Sequence, residues 1–155
     1  MDTETLIARA QAAHARCIDN NTLEDWPEFF TEKCLYKITT LENFTLGLPA
    51  GLMHAFSRAM LIDRITALRQ ANIYEKQLYR HIVGLPAVLG TEAGGLVRSE
   101  TSFLVVRVLR EGQTDIFATG RYMDLWELSG ERPLLAERVV VCDSSRIDTQ
   151  MALPL

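Results

Sequence analysis

Phe103-Leu104-Val105-Val106-Arg107-Val108-Leu109-Arg110-Glu111-Gly112-Gln113-Thr114-Asp115-Ile116-Phe117-Ala118-Thr119-Gly120-Arg121-Tyr122 is the stretch that decides the fold. β-Branched and aromatic residues crowd both arms, with Glu111-Gly112-Gln113 between them as a turn. A turn that short leaves no room for a crossover helix, so the arms must pair antiparallel. The two strands extend over residues 97–110 and 115–128. Ser129-Gly130-Glu131 leads to a further strand at 134–142, and another strand-like run at 77–89 precedes them all. Phe103-Leu104-Val105-Val106 and Val139-Val140-Val141 are apolar at consecutive positions, which predicts central strands covered on both faces.

Upstream the period changes. Leu6, Ile7, Ala10, Ala13, Cys17 and Ile18 repeat at helical spacing over residues 3–20, with Asp2 or Thr3 as cap. A short helix is expected at 23–30, where Thr22 and Asp25 resemble a capping box and Trp26, Phe29 and Phe30 supply a large aromatic face. A first strand follows at 34–41, then a loop marked by Gly47 and Pro49. The longest helix is expected at 51–72. On it Leu52, Phe56, Ala59, Met60 and Ala67 share one face, with Asp63 in its middle. Helices first and an antiparallel sheet afterwards indicate an α+β fold, three helices packed on one face of a curved antiparallel sheet. Without linker or repeat, residues 1–155 read as a single domain.

Composition narrows the function. The chain has 48 % hydrophobic and 23 % charged residues and a net charge of −4 with no acidic or basic blocks. Nucleic acid and anionic membrane are therefore not expected partners. Of 16 basic residues 13 are Arg, a bias that suits interface cores as well as a GC-rich gene. Met1-Asp2-Thr3-Glu4 lacks the cationic and apolar regions of a leader, and three cysteines without one predict reduced thiols in the cytoplasm. Cys17, Cys34, Cys142, His14, His54 and His81 form no pair at metal-ligand spacing. No metal, cofactor or catalytic residue is expected in this chain, so the chemistry it serves belongs to another.

Several segments, in order, resemble the small (β) subunit of aromatic-ring-hydroxylating dioxygenases. They are Trp26-Pro27-Glu28-Phe29-Phe30, Asn43-Phe44 with Gly47-Leu48-Pro49, Met60-Leu61-Ile62-Asp63-Arg64-Ile65 and Tyr79-Arg80-His81-Ile82-Val83-Gly84-Leu85-Pro86. Phe117-Ala118-Thr119-Gly120-Arg121-Tyr122, Glu137-Arg138 and Val141-Cys142-Asp143-Ser144 continue the match to Leu153-Pro154-Leu155. The resemblance implies the cone-shaped NTF2-like fold shared with ketosteroid isomerase and scytalone dehydratase. It implies a non-catalytic structural subunit of a Rieske non-haem iron oxygenase that cis-dihydroxylates an aromatic ring in aromatic catabolism. The large (α) subunit would carry the Rieske [2Fe-2S] cluster and a mononuclear iron, and a reductase would act on that subunit. Three small subunits would associate with three large ones. Ala71-Asn72-Ile73-Tyr74-Glu75 and Met151-Ala152-Leu153-Pro154-Leu155 look most like members acting on terephthalate, so an aromatic carboxylate is the expected substrate.

Polar residues interrupt the apolar elements at telling places. Arg80 and His81 fall on opposite faces of one strand, and Arg121 and Arg138 break apolar strands. A buried arginine needs a carboxylate, and Asp63, Asp124 and Glu137 are the expected partners in an internal or subunit-interface network. A second possibility is a free-standing isomerase or dehydratase with Asp63 as base and Tyr36, His81 or Tyr122 as hydrogen-bonding groups in the cone. Residues 138–148 and the apolar finish at 152–155 are expected to contact a neighbouring copy in a trimer.

Overall fold

Helix α1 (Thr3–Asp19) begins where a side chain can satisfy its first free amide. Asp2 Oδ1 accepts from the Thr5 N–H at 2.8 Å, and Glu4 and Arg16 complement the two helix ends. The computed structural model describes residues 1–49, 51–71, 77–145 and 154–155. The buried stripe of α1 is Ile7, Gln11, His14, Cys17 and Ile18. Two polar residues thus occupy the row that apolar spacing assigned to Ala10 and Ala13. A 3-10 helix (Leu23–Phe29) follows without the expected capping box, because the Thr22 hydroxyl donates back to the Cys17 carbonyl at 3.1 Å. Its Trp26 is wholly buried and meets Phe30 and Tyr36 edge-on, with centroids 5.4 and 5.1 Å apart. Such pairs stabilise by about 0.5–1.5 kcal/mol each beyond the area they bury.

Among the described residues, seven strands form one sheet: β1 (Phe30–Thr40), β2 (Met53–Ala55), β3 (Gln77–Val83), β4 (Ala87–Thr91), β5 (Val97–Leu109), β6 (Thr114–Glu127) and β7 (Leu134–Cys142). Their order is β2-β1-β7-β6-β5-β3, with β4 pairing β5 beside β3. The hairpins β5–β6 and β6–β7 are antiparallel as their short turns require. The sheet is mixed, however, because β1 runs parallel to β7. No turn links those two strands, so no local signal sets their relative direction. The run at 77–89 divides at Leu85-Pro86, because a proline has no N–H to give the ladder. Gly120 lies on β6 where an added Cβ would strike the Val141 carbonyl, so only glycine lets β7 approach this closely.

Helix α2 (Leu41–Thr45) was not foreseen; the Thr40 hydroxyl caps it by accepting from the Asn43 N–H at 3.2 Å. Helix α3 (Arg58–Ala71) is shorter than its expected span of 51–72, because residues 53–55 pair with β1 instead. Its buried side is Leu61 and Ile65, while Phe56, Ala59, Met60, Asp63 and Ala67 face outward. The helix is apolar on two sides, and contact with β1 and the 3-10 helix selects the narrower one. The core lies between the helices and the inner face of the sheet, where β6 alternates Tyr122, Asp124 and Trp126 inward with half-buried Arg121, Met123 and Leu125. Leu104, Val106 and Val139 on the outer face also stay half-exposed, so the central strands are covered on one face more fully than the other.

Candidate functional site

The sheet and α1 enclose a network of charge. Asp124 and Arg138 stand directly opposite each other on β6 and β7, and both side chains point inward. Arg138 Nε and Nη2 each donate to the Asp124 carboxylate at 2.9 Å, a two-pronged pair with both side chains almost wholly buried. Gln11 completes it from α1. Its amide donates to Asp124 Oδ2 at 2.9 Å and to the Thr101 hydroxyl at 3.1 Å, and its carbonyl accepts from Arg138 Nη2. The Arg138 guanidinium also lies 3.9 Å from the centre of the Tyr122 ring, in cation–π contact. Burial opposes the charge on Arg138, yet the Asp124 carboxylate holds its pKa above the ordinary value. Such a network is costly to desolvate and more costly to leave half-made.

His14 links this network to the aromatic cluster. Trp26 Nε1 donates to its Nε2 at 2.6 Å, and Arg138 Nη1 lies 2.7 Å from its Nδ1. A neutral imidazole has a lone pair on only one nitrogen, so it accepts from one of these donors at a time; doubly protonated, it accepts from neither. Burial and then the Arg138 charge drive the His14 pKa well below its usual range, in the direction that geometry demands. A second histidine has the opposite partner. His81 Nδ1 is 2.6 Å from Asp19 Oδ1, and the His81 backbone N–H donates to Asp19 Oδ2 at 2.8 Å. His81 Nε2 is buried and meets no hydrogen-bond partner among the described residues. His81 lines a narrow internal crevice with Gln11, His14, Tyr122 and Arg138 that has no room for a water molecule.

Gln11, His14 and Asp19 were missed by reasoning from sequence, although each left a mark. Gln11 and His14 share a row with Ile7 and Ile18 that only apolar residues would ordinarily fill. Asp19 closes α1, where the helix dipole disfavours an acid unless a partner stands near.

The remaining expected residues do not join this cluster. Asp63 is exposed on α3, far from the paired, buried position expected of it and unable to act as a base inside the cone. Arg80 is exposed, on the face of β3 opposite His81. Arg121 pairs with Glu100 at 2.9 Å, not with Asp63, Asp124 or Glu137. Glu137 is half-buried, and desolvation raises its pKa while the Arg98 charge pulls it down. Tyr36 and Tyr122 are both interior, and burial pushes their pKa values far up, so both phenols keep their protons. Tyr36 is already engaged: its hydroxyl donates to the Leu155 carbonyl at 2.8 Å. Leu155 is wholly buried in the core of its own chain, which corrects the expectation that it anchors on a neighbour. Residues 72–75, 146–148 and 151–153, on which other expectations fell, lie outside the described residues.

All three cysteines are free and buried, and burial raises their pKa values, that of Cys142 to about 12. Thiols so placed are poor nucleophiles. Among the described residues no three His, Cys, Asp or Glu side chains converge as metal ligands, and no helix is long and apolar enough to cross a membrane.

Comparison with known proteins agrees with this picture. The chain is 46 % identical over 155 residues to the terephthalate 1,2-dioxygenase terminal oxygenase component subunit beta 1 of a Comamonas species, covering all of both chains. It is 37 % identical over 138 residues to the anthranilate 1,2-dioxygenase small subunit of Burkholderia cepacia, covering 89 % of this chain and 85 % of that one. A solved chain described as the beta subunit of an aromatic-ring-hydroxylating dioxygenase from Novosphingobium aromaticivorans superposes with a TM-score of 0.89 at 36 % identity, covering 98 % and 96 %. A chain described as a scytalone dehydratase from the same organism shares the fold alone, at TM-score 0.67 and 13 % identity over 90 % and 83 %, which places the α+β architecture in the NTF2-like class. The model of the family described as "Ring hydroxylating beta subunit" matches residues 13–149. With that match spanning most of its length, this chain belongs to the ring-hydroxylating beta subunit family and is a subunit of an oxidoreductase rather than a free-standing isomerase.

Proposed function

We propose that this chain is the structural small subunit of a cytoplasmic Rieske non-haem iron oxygenase that cis-dihydroxylates an aromatic carboxylate of the terephthalate type. The large subunit holds the [2Fe-2S] cluster and the mononuclear iron and receives electrons from a reductase. Three small subunits associate with three large ones. The small subunit contributes shape and rigidity, and no iron ligand. The substrate class rests on the relatives, which are named for terephthalate and anthranilate, two aromatic acids. The polar networks at Arg138–Asp124 and Arg121–Glu100 fix the register of the sheet that presents the subunit's outer surfaces.

One observation carries the structural role: the buried charges of Arg138 and Asp124 are paired with each other, while large apolar side chains stand uncovered outside. Leu46 (64 % exposed), Phe56 (61 %) and Ile62 (49 %) lie on the side of α2, β2 and α3. Ile82 (58 %) and Leu85 (78 %) lie at the opposite sheet edge, on β3 and just after it, and Ile116 (67 %) lies on β6, beyond β5. A lone soluble protein rarely leaves two such groups bare, whereas a subunit with two kinds of neighbour needs both. Co-expression of a tagged copy with the large subunit tests this. The tagged chain should retain a brown, iron-bearing partner, and the pair should hydroxylate terephthalate only when both are present. Full activity from the large subunit alone, or from this chain alone, would sink the proposal.

A further inference from the structure

Two exposed faces of this chain each carry an unpaired charge amid apolar side chains, and the two charges are opposite. The first is the outer side of α3. Phe56, Ala59, Met60 and Ala67 share that side with Asp63, because residues three and four apart on a helix are neighbours. Phe56 precedes the helix, and its N–H donates to Met60 Sδ at 3.3 Å, which ties it to the same side. The second is the outer face of the sheet. Arg80 on β3 stands opposite Val106 on β5, which stands opposite Ile116 on β6, so the three form one row across the strands. Leu78 and Ile82 flank Arg80 on the same face of β3. Among the described residues neither Asp63 nor Arg80 has an ion-pair partner.

We propose that the outer side of α3 in one copy docks on the outer sheet face of the next, with Asp63 pairing Arg80 across the contact. Each face lacks what the other has. An arginine amid aliphatic side chains is completed by a carboxylate in similar surroundings, and the planar guanidinium takes that carboxylate through two parallel hydrogen bonds. One copy cannot join its own two faces: α3 packs on β1 and β2 at one end of the sheet order, whereas Arg80 sits on β3 at the other. The contact is therefore head-to-tail, and repeated contacts of that kind close a ring or run on as a filament. The proposal deepens the subunit reading above, which sets the ring at three copies; the contact itself needs no large subunit. It also gives a use to the second apolar side of α3, which the chain's own core leaves uncovered.

Sedimentation of the purified full chain over a micromolar concentration series, beside Asp63→Arg, Arg80→Asp and the double exchange, tests the proposal. Each single exchange sets like charges against each other in a desolvated contact and should weaken self-association at least about thirtyfold. The double exchange restores one charge of each sign and should bring association back to within about threefold of the parent. Thermal melts of all four chains should coincide, since both residues are exposed, so a lost oligomer is not a lost fold. A parent chain that stays monomeric throughout overturns the proposal. So do single exchanges that associate like the parent, or a double exchange no better than the singles. Retention of the large subunit by a tagged copy is read separately. If the large subunit is retained but the exchanges leave sedimentation unchanged, the contact falls and the subunit reading stands. If the exchanges behave as expected but no large subunit is retained, the subunit reading falls and the contact stands.

Discussion

The apolar interior of this protein encloses a polar network, and its exterior carries bare apolar side chains. Inside, Gln11, His14, Asp124 and Arg138 form a closed polar network against α1 and the sheet. Outside, Phe56, Ile82, Leu85 and Ile116 lie bare. The inner network is self-sufficient, because each charged atom has a partner in the same chain. The outer surface is incomplete, because its apolar side chains have none. A free-standing enzyme of this architecture would need the reverse: unsatisfied polar groups facing a pocket and a wetted exterior. The contrast fits a subunit of a larger oxygenase, which the family match shows this chain to be.

The largest effect should come from opening the inner network on one side. Asp124→Ala leaves the Arg138 guanidinium buried and unpaired, and should cost about 3–5 kcal/mol in denaturant unfolding. Replacing both partners with apolar residues, Asp124→Leu with Arg138→Met, should recover most of that loss. If the single variant costs less than about 1 kcal/mol, the network is not closed as described.

The outer surface should behave in the opposite way. Phe56→Glu and Ile82→Glu should each leave the stability of the chain within about 0.5 kcal/mol. Each should nevertheless weaken co-purification of the large subunit or of further copies by about tenfold or more, since buried aromatic and aliphatic anchors dominate interfaces. Unchanged assembly in both would erase the contrast.

Titration sharpens it next. The His14 pKa is depressed in the fold by burial and by Arg138, so the unfolded chain binds a proton that the folded chain refuses. Its contribution is present above the unfolded value of about 6.5 and is lost as pH falls below it, by up to about 1.4 kcal/mol per pH unit. His14→Gln should flatten that part of the stability profile. The smallest effect belongs to Asp63. Asp63→Asn should change stability by less than about 0.5 kcal/mol, because its carboxylate is exposed; a larger loss would return it to the interior.

Several features were legible from residues alone. The turns at 111–113 and 129–131 are too short for anything but hairpins, and the strands they join do pair antiparallel. That Arg138 needs a carboxylate was legible, and of the three candidates Asp63, Asp124 and Glu137 the structure selects Asp124. Asp63 misled for a definable reason: α3 is apolar on two sides, and period alone does not say which side meets the sheet. The Asp19–His81 pair was invisible because its members are 62 positions apart and spacing reports only on neighbours.

Sequence by itself therefore determined the class of fold, the antiparallel hairpins and the residue types that had to be neutralised once buried. These follow from short-range rules of period, turn length and desolvation, which act within a few residues. Tertiary structure alone decided that β1 runs parallel to β7, that α3 turns Leu61 inward and Asp63 outward, and that Leu155 docks on Tyr36 across 119 positions. Those choices compare the burial of one whole surface against another, a quantity no local stretch contains.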